Sequence, residues 1–161
     1  MDASKLIADK RGLRRLIARL KYEKKRVVFT NGCFDIIHAG HTSYLESAKA
    51  LGDILVVGLN SDASIKGIKG PRRPINDQRS RAAVLLSLRA VDYVYVFDEP
   101  TPLEVIEIVR PDILVKGGDW RRKEIVGAEF VRSYRGKVVT VPIVNRVSTT
   151  KLIGRILRLY A

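Results

Sequence analysis

The sequence predicts an α/β protein: a single-domain, Rossmann-like, doubly wound sheet of five parallel strands, preceded by an amphipathic helix. Three observations carry that prediction. Five short apolar runs rich in β-branched residues alternate along the chain with segments of helical spacing, a pattern that buries strands on both faces. Capping residues, glycines and prolines punctuate the alternation where turns are needed. The chain has 161 residues, 46% of them hydrophobic and 29% charged, which suits one full core and requires no second one.

Residues 1–26 read as the basic amphipathic helix, with the helix itself over 4 to 25. Leu6, Leu13, Leu16, Ile17 and Leu20 form its apolar stripe, and Lys10, Arg11, Arg14, Arg15, Arg19, Lys21, Lys24, Lys25 and Arg26 crowd its outer side. Residues 27–161 form the sheet domain. Its first strand is Arg26 to Phe29, followed by a helix through Tyr44, Leu45, Ala48 and Leu51. Asp53 to Leu59 is a near-continuous apolar second strand, after which Ser61-Asp62 starts a helix. Gly67 to Asp77 mixes glycine, proline and cations and reads as a mobile loop. A helix over Arg81 to Arg89 precedes the third strand, Tyr93 to Phe97. Thr101 is expected to cap a helix that begins with Pro102 and stops before Pro111. Ile113 to Val115 is the fourth strand, a helix near Glu124 to Tyr134 follows, and Lys137 to Val141 is the fifth. Ser148 or Thr149 caps a last helix to Tyr160. Strands joined in this way by helices require right-handed crossovers.

The most informative segment is Thr30-Asn31-Gly32-Cys33-Phe34-Asp35-Ile36-Ile37-His38-Ala39-Gly40-His41, which sets the only two histidines around one glycine at the first strand-to-helix turn. The first N–H groups of a helix are unpaired and its dipole is positive there, so a phosphate chain is stabilised without a dedicated cage. Gly32 and Gly40 let the backbone approach such a ligand closely. Histidines three positions apart lie on one helix face and can converge on one group. Zinc would need further ligands from a single cysteine and unclustered carboxylates. A nucleotide-phosphate site is therefore the expected reading.

One cysteine, Cys33, excludes an internal disulfide framework; it reads as a packing residue, since no base other than the two histidines stands near it in sequence. No signal peptide or membrane span is apparent, and a cytoplasmic setting is expected. The formal charge of +13 admits a non-catalytic RNA-binding module, but only Tyr22 interleaves with the cations of the first helix, so no nucleic-acid or membrane partner is expected. Part of that charge can focus the field on small anionic substrates.

Ligands of open α/β sheets sit beyond the carboxyl ends of the strands. The first strand delivers Thr30 to His41 there. The second delivers Asn60, Ser61 and Asp62 and leads to Lys66, Lys69, Arg72 and Arg73. The fourth delivers Lys116-Gly117-Gly118-Asp119-Trp120, and the fifth Asn145 to Thr150 with another helix start. A nucleoside triphosphate would use all of them.

These residues resemble the nucleotidyltransferase superfamily with the His-x-Gly-His signature, and within it the bacterial D-glycero-β-D-manno-heptose 1-phosphate adenylyltransferases in their stand-alone form. The resemblance runs over nearly the whole chain. It rests on Thr30 to His41, on Gly58 to Ser64, on Lys66 and Lys69-Gly70 with Arg73 to Asn76, on Arg81, on Ala90-Val91-Asp92, on Leu114 to Trp120, on Ile125-Val126-Gly127, and on Ser148-Thr149-Thr150. Arg79-Ser80 stands where many relatives have Glu-Gln. The glycerol-3-phosphate cytidylyltransferases share the histidine motif and the Ser-Thr-Thr start, but typically carry Arg-Thr-Glu-Gly-Ile where this chain has Ile143 to Val147.

The resemblance implies attack of a sugar 1-phosphate on the α-phosphorus of ATP, releasing pyrophosphate and yielding ADP-heptose for the lipopolysaccharide core. It implies that His38 and His41 stabilise the α- and β-phosphates, that Lys69 reaches the reacting phosphates, and that Ser148, Thr149 and Thr150 hold the β- and γ-phosphates. Thr30, Asn31, Gly32, Phe34, Gly40, Arg81 and Gly117 would line the nucleotide. Asp35, Asn60, Lys66, Lys116, Asp119 and Trp120 would face the sugar phosphate. No protein metal site is implied; Mg²⁺ would ride mainly on the triphosphate. A homodimer or higher homo-oligomer is expected from the same resemblance.

Overall fold

The computed structural model describes residues 3–118, 125–142 and 148–160. After a 3-10 turn at Ala3–Lys5, the elements are β1 (Leu6–Ile7), α1 (Lys10–Tyr22), β2 (Val27–Gly32), α2 (Ala39–Lys49), β3 (Ile54–Asn60), α3 (Asp62–Lys69) and α4 (Gln78–Ser87). They continue as β4 (Tyr93–Phe97), α5 (Leu103–Val109), β5 (Ile113–Gly117), α6 (Ala128–Ser133), β6 (Lys137–Val141) and α7 (Thr149–Tyr160). The strands form one sheet in the order β1-β4-β3-β2-β5-β6, with every pairing parallel.

Strand alternation sorts the core into two layers. Val27 and Phe29 of β2 pack with Leu13, Leu16, Ile17 and Leu20 of α1, with Val105, Ile106 and Val109 of α5, and with Val131 of α6. Val28 points to the opposite face, where Leu45 and Ala48 of α2 meet Leu85 of α4. Because side chains along a strand alternate while those of a helix recur every three or four positions, one register satisfies both faces. The helix starts are chemically marked. Asp9 accepts from the Gly12 N–H at 2.6 Å, Ser61 from the Ser64 N–H at 3.1 Å and Asp77 from the Ser80 N–H at 2.7 Å, each quieting an unpaired donor of a first turn.

Among the described residues the sheet has six strands where the sequence predicts five. Leu6 and Ile7, expected inside the first helix, pair with Val94 and Tyr95 as a two-residue edge strand. Two residues are too few to show a period, and Asp9 caps α1 only after them. α1 is accordingly shorter than the expected 4 to 25. The expected loop at Gly67 to Asp77 begins later, because α3 continues through Lys69 and ends at Gly70 with φ of 91°. At α5, Pro102 rather than Thr101 is the cap, with no side-chain hydrogen bond. The start of the helix expected near Glu124 lies outside the described residues; its described part is α6.

Sheet growth reverses between β2 and β5. From β2 the chain moves through β3 and β4 to one side, then crosses to β5 and β6 on the other. The carboxyl ends of β2 and β5 therefore part over a crevice, which is where the site lies.

Candidate active site

At the end of β2 the chain leaves the sheet through Gly32 and Cys33. Phe34 adopts a φ of 45°, in a region few non-glycine residues enter, and its ring is 5% exposed. The turn brings His38 to the N-cap of α2 in an extended conformation. Its carbonyl accepts from the His41 N–H at 2.8 Å and the Thr42 N–H at 3.2 Å. The two imidazoles then stack, with centroids 3.8 Å apart and planes inclined by 24°, and the edge of Phe34 meets His41 at 5.3 Å. A Cβ on Gly32 would lie 3.0 Å from the Phe34 ring, so a side chain there would press on the ring that backs His41.

Both histidines carry a buried Nδ1 with no hydrogen-bond partner. Burial lowers the pKa of His38. Burial first, and then the neighbouring His38, push His41 down to about 4, against a backbone hydrogen bond at Ile36. The pair is thus neutral at pH 7 in the free protein, two adjacent groups that an anion would help to protonate.

Around them opens a crevice of about 460 Å³, of a size that suits a nucleotide. β2 contributes Asn31 and Gly32, α2 contributes His38, Gly40 and His41, and β3 contributes Asn60. β5 contributes Lys116 and Gly117, α3 contributes Ile68 and Lys69, and α7 enters by Thr149 and Thr150 with Ser148 ahead of them. The α7 start is capped by Ser148, whose Oγ accepts from the Lys151 N–H at 3.3 Å. Two helix N-termini, those of α2 and α7, therefore face one cavity. Lys116 is 8% exposed, and its Nζ donates to Asn31 Oδ1 across the parting strands. Cys33 also lines the crevice, and burial raises its thiol pKa against the pull of Lys69, Arg81 and Arg73, which keeps it a protonated, unreactive neighbour.

Three expected residues, Thr30, Arg81 and Lys66, lie off the crevice lining, and a fourth, Asp35, lines it with its carboxylate already engaged. Thr30 is fully buried beneath the site, its Oγ1 sharing a hydrogen bond of 2.6 Å with the Tyr44 hydroxyl. Arg81 is 1% exposed. Its guanidinium donates to the carbonyls of Cys33, Asn60 and Asn76 at 2.7, 2.8 and 3.0 Å and to Asp62 at 2.7 Å. It binds loops together and does not line the crevice. Lys66 is exposed on α3 and is absent from the lining. Asp35 reaches the lining, but its carboxylate is spent on Arg73 Nε at 2.7 Å and on the N–H groups of Ile75 and Asn76, both at 2.9 Å. Burial raises its pKa, yet those two N–H groups and Arg73 outweigh it and hold the carboxyl below its usual range. Phe34 and the remaining expected residues, Asn31, Gly32, His38, Gly40, His41, Asn60, Lys69, Lys116, Gly117, Ser148, Thr149 and Thr150, line the cavity. Asp119 and Trp120 lie outside the described residues.

Tyr44 and Ile68 line the crevice without having been singled out for the site, and Arg73, expected there from the basic segment after the second strand, lines it too. Tyr44 donates to the Val115 carbonyl at 3.1 Å as well as meeting Thr30, and nothing in the sequence distinguishes it from an ordinary core tyrosine. Among the described residues no group of three or more His, Cys, Asp or Glu side chains is placed to hold a metal ion, and no helix is long and apolar enough to cross a membrane.

Residues 29–155 match the model of the cytidylyltransferase-like family. Among curated proteins, the "bifunctional protein HldE" of Syntrophotalea carbinolica is 54% identical over 144 residues, covering 88% of this chain and 29% of that protein. The protein of the same name from Geobacter metallireducens is 48% identical over 159 residues, covering 99% of this chain and 32% of its own length. The chain thus spans about a third of the length of these relatives. Among solved structures, the lipopolysaccharide core biosynthesis protein from Thermoplasma volcanium is similar with a TM-score of 0.61 and 31% identity, over 76% of this chain and 99% of that one. Pantoate-β-alanine ligase from Francisella tularensis, solved with an ATP species and β-alanine, gives a TM-score of 0.66 over 95% of this chain and 78% of its own. At 15% identity that likeness concerns the fold alone.

Proposed function

Because the chain belongs to the cytidylyltransferase-like family, we propose that it transfers AMP from ATP to D-glycero-β-D-manno-heptose 1-phosphate, releasing pyrophosphate and forming ADP-heptose. The observation that carries nucleotidyl transfer is the stacked, neutral His38–His41 pair with its unpartnered Nδ1 atoms at one helix start, facing a second helix start across the crevice. The relatives called HldE and the lipopolysaccharide core biosynthesis protein support the choice of sugar phosphate. A cytoplasmic setting goes with that substrate.

In this reading an oxygen of the sugar phosphate attacks the α-phosphorus, and the bond from that phosphorus to the bridging oxygen of pyrophosphate breaks. The nucleophile is already anionic, so no base has to remove a proton, and the protein contributes position and charge. His38 and His41 donate to the oxygens on which charge grows, and their low proton affinity in the free site lets the arriving phosphates set their protonation. Lys69 comes from the end of α3 to the leaving pyrophosphate. Thr149 and Thr150 offer hydroxyls and the unpaired N–H groups of α7 to the far phosphates. Lys116, held by Asn31, faces the incoming phosphate. Mg²⁺ would be held mainly by the triphosphate and would neutralise part of its charge; among the described residues the crevice offers cations, hydroxyls and one carboxylate, Asp35, already spent on Arg73 and two backbone N–H groups, which suits a metal bound by the substrate.

The protein is further proposed to act as a homodimer. The apolar side of α7 carries Ile156, Leu157, Leu159 and Tyr160, exposed by 51, 60, 64 and 86%. Lys151, Arg155 and Arg158 fall on the other side of the helix, so two such faces can meet around a twofold axis while the cations stay in water.

Pyrophosphate release tests the chemistry, with ATP, CTP and GTP each offered heptose 1-phosphate and glycerol 3-phosphate. Release confined to ATP with heptose 1-phosphate is expected. Release with CTP and glycerol 3-phosphate would move the protein to that cytidylyltransferase branch, and none with any pair would overturn nucleotidyl transfer.

A further inference from the structure

At the opposite end of the sheet from the crevice lies a second cavity of about 440 Å³, lined by Lys21, Lys24, Lys25, Arg26, Arg110, Asp112 and Tyr134. It forms where α1, α5 and α6 end and where β2 and β5 begin. Among the described residues none of its five cations has a carboxylate within salt-bridge distance. The nearby acids are spent on backbone. Asp112 accepts from the Val27 N–H at 2.8 Å, and Asp53 from the Arg26 N–H at 2.7 Å. Arg110 sits in the left-handed region with φ of 44°, and its guanidinium lies 4.7 Å from the centroid of the Tyr134 ring. That ring is itself tied down by a 3.0 Å hydrogen bond from its hydroxyl to the Pro111 carbonyl.

Helix ends do not balance this charge. Each contributes at most about half a negative charge, so three ends with Asp112 and the neighbouring Asp53 still leave the five cations in excess. Burial lowers the pKa of Lys21, and the charge of Arg110 lowers it further, with Asp112 opposing. Like charges are therefore held together around an open cavity, one of them against an oriented aromatic face, with positive charge left over. A small ligand with negative charges on adjacent centres suits both the charge and the volume.

We propose that this cavity is a second anion site, which takes the phosphate chain of a small polyanion, a linear polyphosphate or a nucleotide. It is separate from the catalytic crevice, and the proposal does not depend on the reaction the crevice performs.

Calorimetric titration of the full chain with tripolyphosphate at low salt is expected to give two sites per chain. The variant Lys21→Ala/Lys24→Ala/Arg110→Ala should keep its Tm and the crevice site but weaken the other by on the order of a hundredfold, as expected for loss of two charge-assisted contacts. Arg11→Ala/Arg14→Ala/Arg15→Ala, which removes the same charge from the exposed face of α1, should keep both sites. Undiminished binding in Lys21→Ala/Lys24→Ala/Arg110→Ala, or equal losses in the two triple variants, overturns the proposal in favour of diffuse attraction by a basic protein. In His38→Ala/His41→Ala, ATP and tripolyphosphate titrated in parallel identify the source. Tighter binding of ATP assigns a nucleotide, equal binding assigns the bare phosphate chain, and no binding of either overturns the site.

Discussion

His38 and His41 are neutral in the free crevice because burial disfavours their charged forms, and two stacked imidazoles disfavour the second charge further. A triphosphate reverses that balance by raising both proton affinities. Between pH of about 4, to which burial in the free crevice pushes His41, and the higher value in the complex, binding must take up protons. Affinity for a non-hydrolysable ATP analogue is therefore expected to rise as pH falls from 8 towards 5.5, with proton uptake visible as buffer-dependent heats. His38→Ala/His41→Ala should flatten the dependence; an unchanged slope would remove the histidines from the phosphate site. The stability of the free protein should move the other way. The unfolded chain binds the His41 proton below its ordinary value near 6.5 while the folded chain resists until about 4, so stability is lost as pH falls through that window. His41→Ala alone should cost a factor of about 10²–10³ in kcat. The fold should be kept, because α2 is seated by Leu45 and Ala48, and full turnover in this variant would overturn the mechanism. The motif made these two side chains legible, because spacing on a helix start fixes where they converge. Thr30 has its orientation written in the sequence: it shares strand parity with Val28, which faces α2, and so its side chain turns down to Tyr44 and out of the crevice lining.

Arg81 shows what elements require beyond their own periodicity. The loops after β2 and β3 and the segment before α4 have carbonyls that no strand or helix pairs, and one buried guanidinium receives three of them together with Asp62. A planar fork of five donors can do this and a lysine cannot. Arg81→Lys is thus expected to lose about 3–5 kcal/mol in urea denaturation, the cost of orphaning a buried ionic network, and to raise KM for the nucleotide because Cys33 and Asn60 lie on the crevice wall. Wild-type stability in this variant would return Arg81 to a ligand contact. The strands and most helices could be read from apolar runs and caps, since those patterns are local. β1 could not, because a two-residue strand exists only through its pairing with β4. Nor could the anchoring of the segment from Arg73 to Asn76 by Asp35, which depends on partners about forty positions away.

Across the whole molecule the start of α7, to which phosphate binding is assigned by the proposed function, is joined to a helix body with no fully buried side chain and only Leu152 and Ile153 half-buried. Thr149 and Thr150 line the crevice, so their position is only as firm as the seating of the helix that carries them. A second copy covering Ile156, Leu157, Leu159 and Tyr160 would fix that seating, which couples assembly to the nucleotide site. On this account specific activity falls on dilution in step with the dimer fraction measured by sedimentation. Leu157→Lys/Leu159→Lys should be monomeric, keep the helical content and urea midpoint of the parent, and show a KM for ATP raised about tenfold, the worth of one or two weakened hydrogen bonds. Its kcat should change less, because His38 and His41 stand on α2, whose Leu45 and Ala48 are fully buried. A wild type that stays monomeric at micromolar concentration with undiminished activity would separate assembly from the site and leave α7 held by its first turn alone.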